Sequence, residues 1–293
     1  MLMFGLRPQS EMAVAPEVPT VAESTQEFTI VQGGTKMEER IKFSIITVCK
    51  NAAATIEKTI QSVISQTYKN IEYIVVDGLS TDGTLSVVQK HRQHIDVLIS
   101  EKDQGIYDGM NKGIRTATGN IISFLNADDR LLNERSIERV AAFISSHEPG
   151  SIDVYHGSVV FFNYQKGNGF VWKSGPISSL FIHREAQPHA ATFYTRAAFE
   201  KNGLFDTSYR ISGDREWTVR AFKKNMLAFQ YMPLLVSVIA KGGVSTDPAN
   251  ASLQYAESRR ALRNYFSRAE DVYLQILKRL RRKWIRLGRL LFQ

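Results

Sequence analysis

Ile71-Glu72-Tyr73-Ile74-Val75-Val76-Asp77-Gly78-Leu79-Ser80-Thr81-Asp82-Gly83-Thr84 decides the fold. A short apolar run stops at an aspartate, a turn follows, and helical spacing resumes. Ile71–Val76 reads as a buried strand, and Ser80 or Thr81 with Asp82 can cap a helix through about His91. The same grammar extends on both sides. Upstream, Phe43–Val48 predicts a first strand and Ala54–Gln66 a helix with Ile56, Ile60, Val63 and Ile64 on one face. Downstream come a strand at Val97–Ser100, a helix at Ile106–Thr116 and a strand at Ile121–Leu125, which ends on Asn126-Ala127-Asp128-Asp129. Strands separated by helices of this length form right-handed βαβ units. The expected class is α/β: a Rossmann-like, mainly parallel sheet flanked by helices.

The second half is more mixed. Val154–Tyr164 and Phe170–Lys173 flank Gly167-Asn168-Gly169 and predict a β-hairpin. Arg215–Lys224 predicts a helix, Leu227–Ile239 is strand-rich, and Lys241–Ala251 has the composition of a mobile loop. Residues 1–40 have no hydrophobic period and contain Pro8, Pro16 and Pro19, so they are expected to be a disordered extension. Met37 is an alternative start. The expected organisation is a 1–40 extension, a 41–240 α/β domain, and a 241–293 loop and helical tail.

With 43% hydrophobic and 23% charged residues among 293, collagen-like, low-complexity and wholly disordered chains are excluded. Cys49 is the single cysteine, so there is no intrachain disulfide and no Cys-rich zinc site. No apolar run approaches the roughly 18 residues of a membrane span, and no secretory signal is evident. A cytoplasmic setting is expected. The net charge of +8 is located: residues 251–293 carry 11 Lys/Arg against 3 Asp/Glu, and the rest carry 26 of each. The basic character belongs to the tail, which argues against a nucleic-acid-binding core.

In open parallel sheets, ligands bind beyond the carboxyl ends of strands near a topological switch point. Two such ends here are acidic, at Asp77 and at Asp128-Asp129. Carboxylates there can accept hydrogen bonds from a base or ribose, or ligate a divalent cation. Singly, each is also a normal turn former.

In order and spacing, the strand at Phe43, the Asp77–Thr84 loop, Asp103-Gln104-Gly105-Ile106-Tyr107-Asp108-Gly109-Met110-Asn111-Lys112-Gly113 and the Gly119–Asp129 segment resemble the family-2 glycosyltransferases. These are inverting enzymes of the GT-A fold with nucleotide-sugar donors. The Gly-Ile-Tyr-Asp-x-Met-Asn-Lys-Gly run is similar to the branch that builds exopolysaccharides such as colanic acid. The resemblance covers about 42–222. It implies that Asp77 receives the nucleobase, with a uridine donor preferred, and that Asp82 holds its turn. Val48, Lys50 and Asn51 would border the nucleobase crevice. Asp128 would be the principal ligand of Mg²⁺ or Mn²⁺, with Asp129 beside it for ribose or metal. Asn126 departs from the family's first acid, and Met110 from a common Arg beside Asn111. Asn111 and Lys112 fall on the donor side; Lys112 either supplies phosphate-facing charge or is a surface helix lysine.

Ile211-Ser212-Gly213-Asp214-Arg215-Glu216-Trp217 resembles the family's acidic motif beneath the acceptor. The resemblance makes Asp214 the general base, with Glu216 next in line. His189, in Gln187-Pro188-His189, either contacts diphosphate or acceptor or is structural. From Tyr273, the residues Leu277, Leu280, Trp284, Leu287 and Leu291 recur at helical steps. Lys278, Arg279, Arg281, Arg282, Lys283, Arg286 and Arg289 fill the rest, as in a helix that lies on an anionic membrane surface. Docking on its own domain, or in a homo-oligomer, is the other reading. The expected enzyme extends a lipid-linked saccharide. The alternatives are a catalytically inactive nucleotide-sugar-binding scaffold, or a nucleotidyltransferase, although no Gly-rich, basic phosphate loop follows the first strand.

Overall fold

The strand at the centre of the sheet, β1 (Phe43–Cys49), is buried along its whole length because helices cover both of its faces. The computed structural model describes residues 41–291, with side chains described through residue 280. After β1 come α1 (Ile56–Ile64), β2 (Ile71–Asp77), α2 (Thr84–Lys90), β3 (Val97–Ser100), α3 (Ile106–Thr116) and β4 (Ile121–Phe124). This half follows the expected alternation closely. The second half contains β5 (Arg130–Leu131), α4 (Ser136–Ser145), β6 (Val154–Asn163), β7 (Asn168–Trp172), α5 (Ser179–Arg184), β8 (Thr192–Thr195), α6 (Arg196–Asn202), α7 (Gly213–Lys223) and β9 (Phe229–Ala240). It closes with α8 (Ala251–Tyr265) and α9 (Arg268–Leu291).

Among the described residues the sheet runs β3–β2–β1–β4–β8–β6–β9–β5, with β7 paired to β6. β3, β2, β1 and β4 are parallel, in register from Phe43 opposite both Ile71 and Ile121. β8 then joins β4 antiparallel, and β6 joins β8 the same way. The chain fills β1 to β3 in one direction and crosses back to β4. The β1 and β4 carboxyl ends therefore flank the switch point where such sheets bind ligands.

Alternation along β1 sorts the core. Phe43 and Ile45 face α1, with Ile56, Ile60 and Val63, while Ile46 and Val48 face α3, with Tyr107, Met110 and Ile114. α3 lies very close to β1. A Cβ at Gly109 would fall 2.7 Å from Val48 Cγ1, and one at Gly113 would fall 2.5 Å from Ile46 Cγ2. The Gly-x-x-x-Gly spacing thus permits close packing of this helix on the sheet.

Trp217 is fully buried on the first turns of α7, against Tyr194 at 5.1 Å and Phe199 at 5.3 Å between ring centroids. Its indole N–H donates to Gly203 O at 2.8 Å. Removing so large a buried ring typically costs about 3–5 kcal/mol, so α7 is firmly fixed.

The hairpin is present, but its turn lies at 164–167, and Asn168 and Gly169 already pair in β7. The tail is partly integrated. Ala261 and Leu262 of α8 are buried, and α9 docks through Leu274 and Leu277 onto Ile182, Val219 and Phe266. The stripe therefore does not run as expected. Leu274, which is off it, is buried, whereas Tyr273 and Leu280, which are on it, are exposed together with Val272 and Ile276. Trp284, Leu287 and Leu291, and the basic residues from Arg281 to Arg289, lie outside the residues whose side chains are described. Residues 1–40, with the expected extension and Met37, lie outside the described residues altogether. Among the described residues, no helix is long and apolar enough to cross a membrane.

Candidate active site

At the switch point a cavity of about 670 Å³ gathers Val48, Lys50 and Asn51 from the β1 end, Asn126, Asp128 and Asp129 from the β4 end, and His189, Arg210 and Asp214 from the second half. The β1 and β2 loops are laced together around it. Asn51 N–H donates to Ser80 Oγ at 2.8 Å, and Thr81 N–H donates to Asn51 Oδ1 at 2.9 Å. Asp82 accepts from Ala53 N–H at 3.0 Å and from Thr84 N–H at 3.0 Å, holding the turn before α2.

Three of the expected donor-side residues are held by the protein's own groups. Asp77 does not line this cavity. It is fully buried, and its oxygens accept from Ser80 N–H at 3.1 Å and Ser100 Oγ at 2.8 Å. Cys49, whose thiol lies 3.8 Å from Asp77, lines the cavity in front of it. Burial and the Asp77 charge push that thiol far up, which removes it as a nucleophile. Asn111 is buried, and its amide clamps Phe205 on both sides, donating to its O at 2.9 Å and accepting from its N–H at 3.0 Å. Lys112 faces carboxylates: Asp103 at 2.6 Å, Glu101 at 2.9 Å and Asp108 at 3.7 Å. In this structure the polar ends of Asn111 and Lys112 are thus engaged within the protein.

Asp128 and Asp129 differ sharply. Asp129 is buried, with Oδ1 accepting from Ala240 N–H at 3.2 Å and Oδ2 3.3 Å from His189 Nε2. Its oxygens are engaged, so Asp128 presents the free carboxylate. Among the described residues, no other residue donates a hydrogen bond to Asp128, and burial together with the neighbouring Asp129 charge pushes it up to about 6. Gly243 lies directly against it, where a methyl group would clash with Oδ2. No cluster of three or more His, Cys, Asp or Glu side chains forms a cage among the described residues. A lone, uncompensated carboxylate still suits Mg²⁺ or Mn²⁺, which takes few protein ligands when phosphate oxygens supply the rest.

His189 links the acids. Its Nδ1 is 4.0 Å from Asp214 Oδ2, and its Nε2 is 2.8 Å from the Asn126 amide. Burial opposes its charge, but the bond to Asp129 and the surrounding carboxylates outweigh that and raise its pKa. In the protonated form, both ring nitrogens donate, so Asn126 turns its oxygen to Nε2.

Asp214 opens α7. Its Oδ1 accepts from Arg215 N–H at 2.8 Å and from the Tyr107 hydroxyl at 3.1 Å, which also reaches Ile211 O at 2.7 Å. Oδ2 is left toward His189 and the cavity. The segment before it is held by Glu257 of α8, which accepts from the N–H groups of Arg210, Ile211 and Ser212 at 2.7, 2.9 and 2.9 Å. Glu216 points elsewhere: it is buried, accepts from the Tyr265 hydroxyl at 2.7 Å and lines neither cavity. Tyr107, Glu257 and Gly243 were not singled out from sequence. Only Tyr107 had a signal there, its place in the Gly-Ile-Tyr-Asp run.

A second cavity of about 890 Å³ lies beyond Asp214, between α5, α7, α8 and α9. The two share His189, Ile211, Asp214, Ile239 and Ser245. Asp214 therefore stands at their junction.

Comparison with known proteins agrees with this layout. Residues 44–203 match the model for glycosyl transferase family 2. A PGL/p-HBAD biosynthesis glycosyltransferase of Mycobacterium bovis is 33% identical over 207 residues, covering 69% of this chain and 78% of the relative, and the Mycobacterium tuberculosis counterpart matches equally. Both relatives are named for PGL/p-HBAD biosynthesis, not for the exopolysaccharide branch that the Gly105–Gly113 run resembles. Among solved structures, S. aureus TarS 1–349 in complex with UDP-GlcNAc superposes with a TM-score of 0.59 at 19% identity, over 80% of this chain and 70% of that one. The mannosyltransferase PcManGT from Pyrobaculum calidifontis, in complex with GDP-Man and Mn²⁺, gives 0.56 at 18% identity, over 80% and 70%. Those two establish the GT-A-type fold, and the family model with the mycobacterial relatives establishes more: the chain belongs to glycosyl transferase family 2.

Proposed function

We propose that the protein is an inverting glycosyltransferase, moving a sugar from a nucleotide-sugar donor in the 670 Å³ cavity to an acceptor hydroxyl in the 890 Å³ cavity. The observation that carries this is the placement of Asp214 at the junction of the two, with one oxygen held and the other free. UDP-sugar is the preferred donor, and the acceptor is a lipid-linked saccharide or glycolipid of a bacterial surface or exopolysaccharide. The complexes of the structural neighbours with UDP-GlcNAc and with GDP-Man and Mn²⁺ support a nucleotide sugar and a divalent cation.

Asp214 Oδ2 takes the proton from the acceptor hydroxyl. The hydroxyl oxygen bonds to the anomeric carbon as the bond to the diphosphate breaks, and that electron pair leaves with the nucleoside diphosphate. Displacement in line inverts the centre. Asp128, with Asp129 beside it, would hold a Mg²⁺ or Mn²⁺ that neutralises charge on the leaving diphosphate when bound. Tyr107 and Arg215 N–H fix the base, and His189 balances the charge between Asp129 and Asp214. The buried Asp77 lies behind Cys49, where the nucleobase would be received. α9 presents Val272, Tyr273, Ile276 and Leu280 to solvent beside a basic sequence, which supports peripheral attachment to the cytoplasmic face of an anionic membrane.

The test is to incubate purified protein with UDP- and GDP-sugars plus Mg²⁺ or Mn²⁺ and to follow donor loss by mass spectrometry. Turnover is expected. Asp214→Asn should lower transfer by a factor on the order of 10² or more with donor affinity retained. Donor binding without turnover in the wild type would mark a scaffold instead.

A further inference from the structure

Six basic side chains line the 890 Å³ cavity, Arg184, Arg215, Arg259, Arg263, Lys278 and Arg279, against two acidic ones, Glu185 and Asp214. Several of these cations are already accounted for. Arg259 forks onto Asp271 at 3.0 and 2.6 Å, Arg184 meets Glu185 at 3.1 Å, and Arg215 donates to the carbonyls of Ile182 and His183 at 2.8 and 3.2 Å. Arg263 on α8 and Arg279 on α9 have no ion-pair or hydrogen-bond partner among the described residues. They line one cavity from two helices, so an anion bound there would meet two guanidinium groups with no partner of their own.

A second observation lies in the same wall. Gln187 is buried, its Oε1 accepts from Thr218 Oγ1 at 3.0 Å, and its Nε2 has no partner. A buried donor without an acceptor is costly, so this wall holds an unmet donor beside the two arginines. Trp172, Phe161, Tyr255 and Leu262 supply apolar and aromatic surface in the same cavity.

We propose that the 890 Å³ cavity is an acceptor subsite selective for acceptors that carry a phosphate ester, whose oxygens are bound by Arg263 and Arg279 while the attacked hydroxyl reaches Asp214. Arg guanidinium groups match phosphate by paired, charge-assisted hydrogen bonds. The apolar residues then cover the group that the phosphate is esterified to. The assignment of acceptor and donor sides rests on the glycosyltransferase reading above.

The test uses the full-length protein saturated with UDP, so that the donor cavity cannot bind the probe. Octyl phosphate and octanol are titrated by calorimetry. Octyl phosphate should bind at least tenfold tighter than octanol, and its affinity should fall with salt. The double variant Arg263→Gln/Arg279→Gln should lose about tenfold or more for octyl phosphate and little for octanol. Arg263→Lys/Arg279→Lys should restore part of the loss. Both arginines are exposed and unpartnered, so an unchanged melting temperature is expected and checks folding. Equal affinity of the wild type and the Gln variant for octyl phosphate would overturn the proposal. Loss of binding to phosphatidylglycerol vesicles with octyl phosphate binding intact would also overturn it, because the arginines would then meet lipid headgroups outside the cavity. UDP affinity of the wild type is recorded in parallel. Its absence would count against the glycosyltransferase reading, separately from the octyl phosphate result.

Discussion

Two aspartates lie at the carboxyl ends of the strands on either side of β1, yet Asp77 and Asp128 are built oppositely. Asp77 is sealed and supplied with donors from Ser80 and Ser100. Asp128 is given a buried place, a like-charged neighbour and no donor from another residue, and its pKa rises to about 6. The first carboxylate completes the local fold. The second, when charged, destabilises it, and that cost is relieved by a proton or by a bound cation.

The largest expected effect comes from the second. Asp128→Asn should cut metal-dependent turnover by about 10²–10³, the loss typical when one charge-stabilising group is removed. It should also make the ligand-free protein more stable at neutral pH. A carboxyl raised from 3.8 to about 6 holds its proton more tightly folded than unfolded. The stability of wild type relative to Asp128→Asn should therefore fall as pH rises from about 4 to about 6, and the difference should then level off. Denaturant titrations of both proteins across that range should show this difference opening. An Asp128→Asn protein less stable than wild type at pH 7 would remove the contrast.

Asp77→Asn tests the opposite construction. Losing the charge from its hydrogen bonds should cost about 1.5–3 kcal/mol of stability, visible as a lower denaturation midpoint, alongside weaker donor binding. Weaker donor binding at unchanged stability would make Asp77 a ligand residue only.

Gly243→Ala should act on Asp128 alone, displacing its carboxylate and weakening divalent-ion affinity about tenfold. Titration of Mn²⁺ in the presence of UDP measures this. The smallest effect is expected at Lys112→Met. With its ammonium committed to Asp103, Glu101 and Asp108, donor KM should stay within about twofold. A tenfold rise would return Lys112 to the phosphate.

The parallel half was legible because each of its strands is a short, doubly buried run between amphipathic helices. Val97–Ser100 and Ile106–Thr116 have the bounds read from sequence. β8, with four residues, and β5, with two, carry no period of their own and exist by pairing with β4, β6 and β9. The carboxylates of the site were visible as strand-end and helix-start residues. Their partners were not, because Asn126 meets His189 across 63 positions and Tyr107 meets Asp214 across 107. The partners of Asn111 and Lys112 were hidden for a related reason. Helical spacing shows that a residue lies on α3 but not which element faces it.

Glu257 has a consequence for how this protein can be recombined. The family-matched segment ends at residue 203, while the proposed base is at 214 and the carboxylate that holds its backbone is at 257. A chimera that takes the matched segment from one relative and everything after it from another would inherit sheet and donor loops from one parent. Its base, and the anchor that sets that base's position, would come together from the other. Cuts between 214 and 257 would separate base from anchor and should give folded but idle hybrids. The exchangeable unit of this enzyme is therefore longer than the stretch by which its family is recognised.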